Sequence, residues 1–141
     1  MPRVPGSPLA LPVADLVARA DEVAPPLPTE DAHALLDDES TLFVDIREPQ
    51  EWAKEGILPG AYRAPRGMLE FWVDPASPYY RPALDDGRRL VLYCGSAWRS
   101  ALAAAALRQM GRDDVTHVAG GFAAWRAAGY PVEPYVRDAP A

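Results

Sequence analysis

The sequence predicts an α/β domain with a mostly parallel sheet, on three observations. Short apolar runs of strand character, Thr41-Leu42-Phe43-Val44 and Leu90-Val91-Leu92-Tyr93, recur along the chain. Stretches of helical character alternate with them, which is the pattern of β-α-β units. The length of 141 residues suits one buried core rather than two. A composition 49% apolar and 24% charged is that of an ordinary folded domain.

Taken in order, residues 1–8 carry Pro2, Pro5, Gly6 and Pro8 and read as a flexible leader. A short amphipathic helix is expected from about Pro12 to Val23, packed on the domain. The apolar stretch Leu9–Ala20 is interrupted by Pro12, Asp15 and Arg19 and has a thin basic flank, which argues against a signal peptide. Ala24-Pro25-Pro26-Leu27-Pro28 must be extended, because proline fixes φ and turns its predecessor away from the helical region. Thr29 is the candidate N-cap of a helix through Leu36, with Glu30 and Asp31 at its positive end. The strand Thr41–Val44 ends at Asp45, and a helix from Glu48 to Lys54 leads to the turn Leu58-Pro59-Gly60. Ala61–Ala64 is expected as a short strand and Arg66–Trp72 as a helix, followed by a proline-containing loop from Asp74 to Asp86. Leu90–Tyr93 is a buried strand, and the alanine-rich Ser100–Met110 is a helix stopped by Gly111. Val115–Val118 gives one more strand, Gly120-Gly121 a turn, and Phe122–Ala128 a last helix ended by Gly129 and Pro131.

A formal net charge of −6 disfavours nucleic acid as a partner, since phosphate backbones are gripped by clustered Lys and Arg. No apolar run reaches the roughly 20 residues that span a bilayer, so no membrane role and a cytoplasmic location are expected. His33 and His117 show no metal-like spacing and are read as non-catalytic. Trp52, Trp72 and Trp125 are read as core or core-edge residues.

The only cysteine is Cys94, so neither an internal disulfide nor a multi-cysteine metal site is available. It stands at the C-terminal end of the Leu90–Tyr93 strand and just before a helix, where open α/β sheets place their ligands. A loop that curls from a strand into a helix N-terminus can aim backbone N–H groups at one point and bind an anion there. A thiolate formed in such a place would be stabilised. Arg99, five residues after Cys94, can add positive charge to the same spot despite the acidic chain around it.

Cys94-Gly95-Ser96-Ala97-Trp98-Arg99-Ser100 resembles the active-site loop of rhodanese-like sulfurtransferases, usually C-x-x-G-x-R-S. Val44-Asp45-Ile46-Arg47-Glu48, with Glu51-Trp52 and Gly56-Ile57-Leu58-Pro59-Gly60-Ala61, is similar to that family's first signature. Val118-Ala119-Gly120-Gly121 through Trp125, with Gly129-Tyr130-Pro131-Val132, is similar to its last. The resemblance spans roughly residues 25–133. It implies a rhodanese-like fold, with a five-stranded parallel sheet flanked by helices on both faces. It divides the chain into a leader and helix (1–24), the domain (25–135) and a tail (136–141).

It also implies that Cys94 carries a sulfane sulfur as a persulfide, with residues Gly95, Ser96, Ala97, Trp98 and Arg99 forming the substrate loop and no metal or organic cofactor needed. Donors would be small sulfur compounds such as thiosulfate, and acceptors cyanide, a thiol or a thioredoxin-like protein. Asp45 and Arg47, just past a neighbouring strand, are expected to order the region around the loop, Arg47 mainly as a structural residue paired with Glu51.

Three departures stand out. Ala97 replaces the usual Gly, which costs about 1 kcal/mol if the position needs positive φ. Trp98 adds bulk beside the pocket, and Ile57 replaces the usual His. Two other readings remain open: a cysteine phosphatase, whose Cys-to-Arg loop is one residue longer, and a binding module that keeps the fold without catalysis.

Overall fold

In the computed structural model, which describes residues 2–137, four parallel strands form one sheet: β1 (Thr41–Asp45), β2 (Tyr62–Arg63), β3 (Arg89–Tyr93) and β4 (Val115–His117). Their order is β2-β1-β3-β4, with Val44 opposite Leu92 and Leu92 opposite His117. Six α-helices connect or flank them: α1 (Val13–Val23), α2 (Thr29–Ala34), α3 (Pro49–Glu55), α4 (Leu69–Val73), α5 (Trp98–Gln109) and α6 (Gly121–Ala127). Of the expected tail, residues 138–141 lie outside the described residues.

The sheet has four strands, not five. A would-be fifth strand is present only as a single parallel bridge of Leu27 with Val118, where Leu27 N–H donates to His117 O (2.7 Å) and Ala119 N–H donates to Leu27 O (2.8 Å). Leu27 lies between Pro26 and Pro28, which have no N–H to donate, so the ladder cannot extend in either direction. Thr29 is likewise not a cap. The helix begins after Pro28, and the Thr29 hydroxyl donates instead to Ala119 O at 2.9 Å, tying α2 to the turn before α6.

Successive strand residues face opposite sides of the sheet. Leu42, Val44, Leu90 and Leu92 face α4 and α5, packing with Leu69, Val73, Ala103, Ala104 and Leu107. Phe43, Val91 and Tyr93 face the other side, with Phe122 and Trp125 of α6 and Ala32 of α2. The run of alanines in α5 follows from its position. One side meets the sheet, while Ala101 and Ala105 take Val17 and Ala20 of α1 on the other, so small residues let both neighbours approach.

The closing signature is explained by close backbone contacts. Gly121, at φ +62°, lies so near the chain that a Cβ would sit 2.6 Å from Cys94 O and 2.8 Å from Gly95 O. The free N–H groups at the start of α6 use that approach, Phe122 donating to Cys94 O (2.7 Å) and Ala123 to Gly95 O (3.0 Å). Trp125 donates its indole N–H to Pro131 O at 2.7 Å, which folds the C-terminal segment back onto the domain. There Ile57, in place of the family's usual His, exchanges two backbone bonds with Glu133.

Candidate active site

Cys94 leaves β3 at the C-terminal edge of the sheet, and it is wholly buried where the loop of residues 95–97 turns into α5. The Ser100 backbone N–H, in the first turn of α5, donates to Sγ at 3.4 Å, and the Ser100 hydroxyl oxygen lies 3.6 Å from the same sulfur. The sulfur therefore faces the positive end of a 12-residue helix. α5 starts at Trp98, two residues earlier than the sequence suggested, and this places Arg99 and Ser100 inside its first turn.

Ala97 makes that early start possible. It has φ +78° and ψ −1°, the only non-glycine residue with positive φ among those described, and it turns the chain from the loop into the helix. The conditional strain expected at this position is therefore present, at a cost of about 1 kcal/mol. Trp98, the first residue of α5, is 49% exposed.

Arg99 arches back over the loop. One of its terminal nitrogens would lie 3.2 Å from a Cβ added at Gly95, so a side chain there would push the guanidinium aside by a few tenths of an ångström. Glu51, from the first turn of α3, holds it through two parallel bonds of 2.9 Å. Those bonds, above all, lower the Glu51 carboxyl to a pKa of about 2, while burial opposes the shift. The same bond to Glu51 raises Arg99, again against burial, with the Cys94 sulfur as a smaller contributor. Glu51 also accepts from the Glu48 N–H at 2.8 Å, which fixes the carboxylate at the start of α3.

Glu51 thus belongs to Arg99 and not, as the helical spacing suggested, to Arg47. Arg47 is wholly buried and forks onto Asp45 through Nε (3.1 and 3.2 Å) and Nη2 (2.8 Å). It also donates to Gly56 O at 2.7 Å and lies 4.2 Å from the centre of the Phe122 ring. Asp45 and Arg47 therefore pin β1, the segment after α3 and the start of α6 to one another behind the loop. Neither touches Cys94 through a hydrogen bond. Burial, reinforced by the Asp45 charge, pushes the neighbouring Tyr93 hydroxyl well above its ordinary pKa, and that hydroxyl accepts from Leu58 N–H at 3.1 Å.

One residue set aside in the sequence reaches the site. His117, at the end of β4 and almost wholly buried, places Nδ1 2.9 Å from the Ser100 hydroxyl and Nε2 2.9 Å from Asp21 of α1. Burial lowers its pKa, and the Asp21 carboxylate opposes that shift. The partners lie 17 and 96 residues away along the chain, a separation that local spacing rules do not detect. His33 instead stacks on Tyr130 with ring centres 4.0 Å apart, as part of the core edge.

No cluster of His, Cys, Asp or Glu among the described residues could hold a metal ion. None of their helices is long and apolar enough to cross a membrane. A cavity of about 580 Å³ lies away from Cys94, between Leu42, Tyr62, Arg63 and Glu133.

A rhodanese-like domain family matches residues 28–128. A sulfurtransferase of Allochromatium vinosum is 36% identical over 98 residues, covering 70% of this chain and 83% of that protein. The thiosulfate sulfurtransferase GlpE of Pseudomonas putida is 36% identical over 107 residues, covering 76% and 88%. A Rhodopseudomonas palustris structure, a protein of unknown function named a possible tyrosine phosphatase, superposes with a TM-score of 0.84. It is 40% identical and covers 94% of this chain and 99% of that one. The chain spans 47% of the length of another relative, an uncharacterised Synechocystis protein. With the family match over most of the chain and the three signatures gathered around Cys94, this protein belongs to the rhodanese-like domain family, in which its relatives include sulfurtransferases.

Proposed function

We propose that this chain transfers a sulfane sulfur from a small anionic donor such as thiosulfate, through a persulfide on Cys94, to a nucleophilic acceptor such as cyanide or a thiol. The observation that carries the reading is the short interval from Cys94 to Arg99, with a buried sulfur facing the Ser100 N–H and the α5 N-terminus. The Cys94 thiolate attacks the outer sulfur of thiosulfate, a new S–S bond forms, and the old one breaks as sulfite leaves with the electron pair. The acceptor then attacks the terminal sulfur of the persulfide, and the thiolate is restored. Charge and electrons balance in both steps without a cofactor. The α5 N-terminus favours both the approach of the donor and the retention of a charged persulfide, and Arg99 adds the part of its charge that Glu51 leaves available.

Two support the choice over phosphoryl chemistry: the loop is one residue shorter than the phosphatase cradle, and two named relatives are sulfurtransferases. The name of the Rhodopseudomonas relative keeps the phosphatase reading in the test. The purified protein is assayed for thiocyanate formation from thiosulfate and cyanide, and separately for hydrolysis of an aryl phosphate. Thiocyanate formation lost in Cys94→Ser, with no phosphate release, is the expected result. Phosphate release dependent on Cys94 would establish the phosphatase instead, and neither activity would leave a binding module.

A further inference from the structure

Behind the loop, four side chains from four elements form one continuous line: Asp21 (α1), His117 (β4), Ser100 (α5) and Cys94 at the end of β3. The separations are 2.9 Å from Asp21 to His117, 2.9 Å from His117 to Ser100, and 3.6 Å from the Ser100 oxygen to Sγ. The last distance is within reach for the larger sulfur atom. His117, Ser100 and Cys94 are almost or wholly buried, while the Asp21 side chain is 37% exposed.

We propose that Asp21 and His117 act through the Ser100 hydroxyl on the sulfur of Cys94, as positioning residues that link the charge on His117 to the ionisation of the thiol. The proposal rests on the sulfur-transfer reading for the role of Cys94 as nucleophile and adds to it the means by which that sulfur is activated.

The line has two complete hydrogen-bonded states. When His117 is neutral, Nε2–H donates to the Asp21 carboxylate, which leaves Nδ1 as an acceptor. The Ser100 hydroxyl must then donate to Nδ1, and its oxygen accepts from the Cys94 S–H. When His117 is protonated, both ring nitrogens donate. Nδ1–H then points at the Ser100 oxygen, and the hydroxyl turns its own proton onto the sulfur, a state that suits only a thiolate. Passage between the states breaks the S–H bond. The thiol proton moves to Ser100 as Ser100 gives its proton to Nδ1, and no proton enters or leaves the protein. The two bonds made by the Ser100 hydroxyl survive with their direction reversed and the one from Nε2–H to Asp21 keeps its direction, so a buried orphan is never created.

The charges around this line have defined places. Asp21 is the carboxylate on His117 from α1. Arg108 of α5 is held by Val115 O and Val23 O, and beside His117 in the sheet stands uncharged Leu92. At the sulfur end lies Arg99, whose charge is engaged by Glu51. Burial holds His117 towards its neutral form, so the Asp21 carboxylate is the group that favours the protonated state.

The test is the rate of Cys94 alkylation by iodoacetamide against pH, which needs no sulfur donor, in the wild type and in Asp21→Asn, His117→Gln and Ser100→Ala, with folding followed by circular dichroism. Loss of the carboxylate or of the hydroxyl is expected to raise the pH midpoint by about one unit, which is about tenfold in rate at a fixed pH below it. Should His117→Gln fail to fold, Asp21→Asn at a half-exposed helix position and Ser100→Ala read the same quantity. Midpoints unchanged within about 0.2 units in Asp21→Asn and Ser100→Ala would overturn the proposal, since a merely structural line has no reason to move a titration. A shifted midpoint in a protein that no sulfur donor loads would keep the relay and discard the sulfur-transfer reading.

Discussion

Glu51→Gln isolates how much of the Arg99 charge is available to a donor. In the structure both Glu51 oxygens bind Arg99 at 2.9 Å, so the cation expected to receive an incoming anion is already neutralised by a carboxylate of the protein. The two side chains are 42% and 27% exposed, so solvent screens the pair and its worth is about 0.2–1 kcal/mol. A glutamine keeps one acceptor for the guanidinium and removes the competing charge. If most of that energy becomes available to the donor, thiosulfate binding should strengthen by up to about fivefold, since tenfold corresponds to about 1.4 kcal/mol.

The effect should be larger at low ionic strength, as expected for partly exposed charges. The sign with pH follows from the depressed Glu51 pKa of about 2. Its contribution to the folded state is fully present above the unfolded carboxylate value and is lost only as pH falls through that value towards 2. Glu51 is therefore charged at any ordinary assay pH, and wild type and variant should differ by the same factor from pH 6 to 9. The assay is the thiosulfate dependence of Cys94 loading in single turnover. Binding weakened tenfold or more in Glu51→Gln would refute the reasoning, because it would mean that Glu51 presents Arg99 to the donor rather than competing for it.

Three further outcomes are expected. Arg47→Met leaves the buried Asp45 carboxylate without its partner and should cost about 3–5 kcal/mol in urea denaturation, whereas a cost under about 1 kcal/mol would show that this pair does not hold the elements together. Ala97→Gly relieves the left-handed conformation and, after the extra freedom of the unfolded chain is deducted from a strain of about 1 kcal/mol, should stabilise by up to about 0.5 kcal/mol. A lower urea midpoint would contradict it. Trp98→Gly should raise turnover of bulky donors relative to thiosulfate, as read from the ratio of the two kcat/KM values, and an unchanged ratio would show that the exposed ring does not border the donor's path.

What the sequence made legible was the local chemistry. Cys94, Ala97 and Arg99 lie in one short loop, so strand, turn and helix signals were enough to gather them, and the strain at Ala97 followed from its replacing a glycine. Pairings between distant elements were not legible. Glu51 sits four residues from Arg47, the spacing of a helical ion pair, yet Arg47 precedes α3 and turns back into Asp45, which frees Glu51 for a residue 48 positions away. His117 looked isolated because α1, which carries its partner Asp21, is brought beside it only by packing against α5. The missing fifth strand was in principle readable. Pro26 and Pro28 flank Leu27, and a segment with so few donors can make a bridge but not a ladder.

The most direct measurement is the intact mass of the reduced protein after incubation with thiosulfate and removal of excess donor. Cys94 is the only cysteine, so the position of any persulfide is unambiguous. The account predicts a gain of one sulfur atom, its removal by cyanide, and no gain in Cys94→Ser, whose hydroxyl cannot hold the sulfur. A folded, reduced protein whose mass is unchanged by thiosulfate and by persulfide donors alike would contradict it.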